Sequence, residues 1–129
     1  MKVLLDTHTF IWLDSAPEKL SKLALEHCQN ENNTLYLSTV SVWEMQIKNQ
    51  LGKLNFKIPI AEMIAIQQQD NELKILDINL PHIYQLEILP LHHNDPFDRL
   101  LLSQSTIENM PLISADEKFK YYDNAKIIW

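Results

Sequence analysis

An alternation of two periods constrains this chain most. Five short apolar runs, KVLLD (2–6), TLYLS (34–38), LKILDI (73–78), PLIS (111–114) and AKIIW (125–129), have the length and residue types of buried strands. Between them lie longer segments whose apolar residues recur at three and four, the spacing of an amphipathic helix. These are THTFIWLD (7–14), PEKLSKLALEHC (17–28), SVWEMQIKNQLGKL (41–54), PIAEMIAIQQQ (59–69), PHIYQLEIL (81–89) and PFDRLLLSQSTIENM (96–110), with EKFKYY (117–122) as a short last helix. Strands alternating with helices predict an α/β fold, a three-layer α/β/α sandwich with a five-stranded, mainly parallel sheet. The 129 residues are read as a single domain, 1–129, which buries roughly two-thirds of its unfolded surface.

Composition then removes several function classes. The chain has one glycine, Gly52, where the usual share is about 7%. Dinucleotide fingerprints and phosphate-cradling P-loops need several glycines, so both are excluded. The single cysteine, Cys28, rules out a disulfide framework and a multi-cysteine zinc site and fits a cytoplasmic location. The apolar run after Lys2 stops at Asp6, so no secretory signal is expected, and no segment is long enough to span a membrane. A net charge of −6 opposes non-specific binding of nucleic acid. A protein that grips phosphates through bound divalent cations is nevertheless acidic at its site.

Helices that follow strands of a parallel sheet begin at its carboxyl edge, where ligands bind in such folds. Four acids fall there. Asp6 closes the first strand, Glu44 lies in the first turns of the helix after the second, Asp98 opens the helix that leads into PLIS, and Asp116 follows that strand within two residues. Each alone reads as a helix cap. Asp6 precedes the helix starting near Thr7, Ser41-Val42-Trp43-Glu44 and Ser114-Ala115-Asp116-Glu117 match capping boxes, and Asp95-Pro96 with Asp98 has the same form. Together they crowd like charges at one edge, which raises pKa values and lowers stability unless a cation neutralises them. The convergence favours a metal, and hard carboxylate oxygens suit Mg²⁺ or Mn²⁺.

The same residues carry a resemblance. MKVLLDTHTFIW, SVWEMQIKNQLGKL, HHNDPFDRLLLSQS and LISADEKF are similar to the blocks that mark PIN-domain ribonucleases, more narrowly the VapC-type toxins of toxin–antitoxin pairs. The likeness spans nearly the whole chain in order, and the H-x-D-P-F-D-R run from His93 is its most specific piece. It implies the sheet order 3-2-1-4-5, with Asp6 and Asp116 on adjacent central strands. It also implies that Asp95 caps while Asp98 points into the site. The acidic positions carried over are Asp6, Glu44, Asp98 and Asp116, as catalytic metal ligands, with His93 supporting them. Thr7 and Ser114 are expected to orient a carboxylate or bound water, or to cap. The implied activity is metal-dependent endoribonucleolytic cleavage of structured RNA such as tRNA or rRNA, in which a bound metal activates water. The implied partners are the RNA substrate, a cognate antitoxin protein and a second copy of the chain in a homodimer.

Other residues are set aside. Asp77 ends the third strand, which the implied order puts at an edge. His92 reads as polar loop, Arg99 and Lys48 as solvated surface with phosphate contact as the alternative, Trp12 and Trp43 as core or dimer packing, and Cys28 as inert. Two rival functions use the same features. A phospho-acceptor receiver domain has paired acids after its first strand, an acceptor Asp after the third and a Lys ending the fifth. Asp77 fits, but LLDTH has a single acid and Lys126 begins AKIIW. A silent PIN-like binding module needs none of the four acids. A DNA-cutting nuclease uses the same phosphodiester chemistry.

Overall fold

In the computed structural model, which describes residues 1–129, the five apolar runs form one parallel sheet in the order β3-β2-β1-β4-β5. The strands are β1 (Lys2–Leu5), β2 (Thr34–Ser38), β3 (Lys74–Leu76), β4 (Leu112–Ile113) and β5 (Ile127–Ile128). Six helices connect them: α1 (Thr7–Ser15), α2 (Lys22–Gln29), α3 (Thr39–Gln50), α4 (Ile60–Asn71), α5 (Leu80–Tyr84) and α6 (Pro96–Glu108). The expected sandwich and strand order both form.

Alternation along β1 explains the two covered faces. Val3 and Leu5 join Leu35, Leu37 and Ile113 in a core under Phe10, Ala24, Met45 and Met63. Leu4 points the other way, into a second core with Leu112, Val40, Leu101, Leu102 and Phe119. Val3, Leu4 and Leu5 are fully buried, each contributing about 1.5–3 kcal/mol. The central strand is therefore apolar on both sides, as a parallel sheet between helices requires. No helix is long and apolar enough to cross a membrane.

Several element boundaries differ from the sequence expectation, each for a local reason. Residues 17–28 do not form one helix. Pro17–Lys19 make a 3₁₀ turn, Leu20 is extended, and the Ser21 hydroxyl caps α2 by accepting the Ala24 N–H at 3.0 Å. The 81–89 segment likewise splits into α5 and a 3₁₀ turn at Gln85–Ile88. The 117–122 segment is a 3₁₀ turn over Glu117–Tyr121. α3 starts earlier than expected because Ser38, not Ser41, is its cap, accepting the Val40 N–H at 3.0 Å. It ends at a turn in which Gly52 has φ +73°, a conformation glycine adopts freely.

Candidate metal centre

The topology fixes where the acids go. β1 sits between β2 and β4, so the loops leaving these three strands meet at one place on the carboxyl edge. The Asp6 N–H donates to the Ile113 carbonyl at 3.1 Å, tying the end of β1 to the end of β4. A cleft of about 360 Å³ opens there, and Asp6, Glu44, Asp98 and Asp116 all line it. Asp95, His8 and Lys48 complete its polar wall. A larger hollow of about 630 Å³ lies between the ends of α2 and α4, lined by residues such as Asn30, Asn33 and Glu72. Chemistry, not size, singles out the smaller cleft.

Capping and site membership are not alternatives here, because a carboxylate has two oxygens to spend. Asp6 caps α1 by accepting the Thr9 N–H at 2.7 Å on Oδ1, while its Oδ2 accepts the Ser114 hydroxyl. Asp116 caps the following 3₁₀ turn, accepting the Lys118 N–H at 2.9 Å on Oδ1, and turns Oδ2 to the His93 ring at 2.8 Å. Ser114 also accepts the Asp116 N–H at 3.0 Å, so one hydroxyl braces two of the acids. Asp95 caps α6, accepting the N–H groups of Phe97 at 2.8 Å and Asp98 at 3.3 Å. That leaves the Asp98 side chain free to face the cleft. Neither expected capping box forms: Ser41 and Glu44 lie inside α3, and Asp116, not Ser114, caps its turn.

Glu44 is almost fully buried and is held from two sides. Thr7 donates its hydroxyl proton to Oε1 at 2.6 Å and takes a hydrogen bond from the Ser41 hydroxyl at 3.0 Å, since a hydroxyl has a single proton to give. Lys48, one turn along α3, places Nζ 2.5 Å from Oε2. Lys48 is thus engaged with Glu44 rather than free in solvent.

His93 lies beneath the cleft. Its Nδ1 accepts the Asp95 N–H at 3.2 Å, which assigns the ring proton to Nε2. Nε2 lies 3.1 Å from Asp98 Oδ2 and 2.8 Å from Asp116 Oδ2. The ligand atoms of His93, Asp98 and Asp116 are all within 4.8 Å of one another, close enough for a shared cation. A protonated Nε2, however, has no lone pair for a metal. The tautomer makes His93 a donor that sets Asp116, with Asp98 close by, rather than a ligand beside them.

Electrostatics record the crowding. Burial, reinforced by Asp95, Glu44, Asp6 and Asp116, pushes the Asp98 carboxyl up to about 8. Burial also raises Asp6, against the lowering pull of the Ser114 and Thr9 hydrogen bonds. Asp116 moves the other way. Burial pushes it up, but the Lys118 N–H, the His93 hydrogen bond and the Lys118 charge together hold it below the ordinary carboxylate value.

Other expectations resolve plainly. Asp77 is exposed at the end of edge strand β3, and the Lys126 ammonium sits on Asn109 Oδ1 at 2.8 Å; neither lines the cleft. Arg99 is not a phosphate contact, because its guanidinium donates to the carbonyls of Pro90, Leu86 and Leu89 and pins the 86–90 segment to α6. His92 is an exposed ring against Tyr121 and Tyr122. Trp12 packs on Trp129 and His8 and borders the cleft. Trp43 is not core: it is 59% exposed and meets only the edge of Phe97 among aromatic rings. Burial pushes the Cys28 thiol up to about 11, which keeps it inert. Sequence reasoning missed Ser41, His8 and Tyr122, whose hydroxyl accepts the His93 N–H at 3.0 Å. Only His8 had a signal, its place two residues after Asp6.

A family model described as the PIN domain matches residues 3–125. No curated protein matches the chain in sequence. Solved structures share the fold at low identity. VapBC2 from Rickettsia felis, bound to a DNA fragment from its promoter, is 19% identical with a TM-score of 0.75, over 98% of this chain and 97% of that one. A toxin–antitoxin complex from Klebsiella pneumoniae is 14% identical with a TM-score of 0.62, over 98% and 96%. VapBC-5 from Mycobacterium tuberculosis is 14% identical with a TM-score of 0.60, over 98% and 94%.

Proposed function

The chain belongs to the PIN-domain family, and from that premise we propose that it is a metal-dependent endoribonuclease, a VapC-type toxin that cleaves structured RNA such as tRNA or rRNA in the cytoplasm. The observation that carries this reading is the cleft into which four separate elements deliver Asp6, Glu44, Asp98 and Asp116. The donor set fits a hard divalent cation. The four acids offer carboxylate oxygen and no thiolate, and the His93 imidazole beside them is committed as a proton donor. Asp6, Glu44, Asp98 and Asp116 would hold Mg²⁺ or Mn²⁺, and such a cation supplies water activation and charge stabilisation at a phosphodiester. The protein's own side chains do the positioning. Thr7 fixes Glu44, Ser114 fixes Asp6, and His93 fixes Asp116, with Asp98 Oδ2 3.1 Å from the same ring nitrogen. A cation also relieves the crowding that keeps Asp98 protonated.

Partners follow from the relatives and the surface. The structural neighbours are named as toxin–antitoxin complexes, which supports a cognate antitoxin for this chain. Leu80, Ile83, Tyr84, Ile88 and Leu91 are exposed apolar side chains within twelve residues of chain. Such a concentration suits burial in a homodimer or against the antitoxin.

The test is cleavage of structured RNA by the purified protein. Mg²⁺ or Mn²⁺ should support cleavage, and excess EDTA and the Asp98→Asn substitution should each abolish it. Full activity in EDTA, or in Asp98→Asn, contradicts the proposal.

A further inference from the structure

The geometry points to Lys48 as a tethered counter-cation that a divalent metal must displace from Glu44 to enter the cleft, an inference that rests on the proposed metal site. The two oxygens of Glu44 have different duties. Oε1 is held by the buried Thr7–Ser41 pair, and Oε2 carries the Lys48 ammonium at 2.5 Å. Lys48 lines the same cleft as Asp6, Asp98 and Asp116, and its charge is drawn to Asp95 and Asp98 as well as to Glu44. Among the residues lining the cleft it is the only lysine or arginine, facing five acids.

A metal ion on Oε2 would stand beside that ammonium, and Coulomb repulsion between adjacent cations makes the two occupants mutually exclusive. Release of Lys48 is physically easy. Glu44 and Lys48 form a helical i,i+4 pair, Lys48 is 29% exposed, and its flexible stem reaches water without unfolding α3. Glu44 itself is buried, but its carboxylate is not left unpaired, because the entering cation takes the place of the ammonium. Lys48 therefore partly neutralises the carboxylates before a metal arrives and sets the concentration at which one enters.

The test is Mg²⁺ affinity measured by calorimetry on the full chain in four forms: wild type, Lys48→Met, Glu44→Gln and the double variant. Met keeps the stem and removes the charge. Lys48→Met should bind Mg²⁺ roughly tenfold more tightly than wild type, within the usual range of coupling between sites. In the Glu44→Gln background the same change should have less than about a twofold effect, because no carboxylate there holds the ammonium. Unchanged or weaker binding in Lys48→Met overturns the inference. Equal tightening in both backgrounds also overturns it, since that is a charge acting from a distance. Should Glu44→Gln fold poorly, the Lys48 Nζ signal in a ¹⁵N-lysine NMR spectrum of wild type decides. It should pass from a protected ammonium in EDTA to a solvated one in saturating Mg²⁺, and an unchanged signal overturns displacement. Neither readout uses RNA, so an inactive protein that still shows displacement sinks only the nuclease reading. Absence of Mg²⁺ binding in all four forms sinks both.

Discussion

At the scale of single residues, Asp95 and Asp98 lie three apart and do different work. Asp95 spends Oδ1 on two helix N–H groups, whereas Asp98 faces the cleft with its carboxyl pushed up to about 8. Asp95→Asn keeps a capping oxygen and should retain most RNA cleavage, while Asp98→Asn should lose it; equal loss in both contradicts this division. Asp98 also dictates a pH dependence. Its folded pKa of about 8 lies above the ordinary value of 3.8, so the folded chain keeps a proton that the unfolded chain has lost. Stability in EDTA should then fall as pH rises between these values and level off above the folded one. Asp98→Asn should remove this slope, its advantage over wild type growing from nothing near pH 4 to on the order of 2 kcal/mol at pH 8, read from urea midpoints. A wild-type profile parallel to that of Asp98→Asn would show that the carboxyl is not strained. Asp116 behaves oppositely, since its lowered pKa means that the folded state favours its charge. Asp116→Asn should destabilise the chain in EDTA at neutral pH.

At the scale of elements, the acids at strand ends were legible because strand and helix periods place them. The apolar runs gave β1 through β5, and an acid just past a buried strand has one edge to occupy. Helix boundaries were less legible. Ser21 and Ser41 are the same residue type, yet Ser21 caps α2 while Ser41 lies inside α3 and backs Thr7. A serine's hydrogen-bonding choice depends on which N–H groups tertiary packing leaves unpaired, and that is not written locally. For Asp6 and Asp116, capping a helix or turn does not exclude facing the cleft, because each caps with Oδ1 and turns Oδ2 elsewhere. Ser114 shows the consequence for the sheet. It joins the end of β4 to Asp6 at the end of β1 and also receives the Asp116 N–H. Ser114→Ala leaves a buried carboxylate oxygen without its donor and should cost about 1–3 kcal/mol in denaturant unfolding. A loss below about 0.5 kcal/mol would mean the brace is dispensable.

At the scale of the whole molecule, a chain of net charge −6 concentrates five carboxylates around one small cleft. The fold tolerates this through buried donors at Thr7, Ser114 and His93 and one ammonium at Lys48. The apolar side chains along 80–91 were not legible as surface, since the helical spacing of that segment gives no sign of which positions remain uncovered. The central claim is that the four acids are one cation site rather than four helix caps. Its most direct test is a thermal melt of wild type and Asp98→Asn, each in EDTA and in Mn²⁺ at pH 8. The predicted result is that Asp98→Asn melts roughly 5–10 °C higher than wild type in EDTA, while Mn²⁺ raises wild type clearly and the variant much less. If Asp98→Asn melts lower in EDTA and Mn²⁺ moves neither protein, the acids are caps and the metal-site account is wrong.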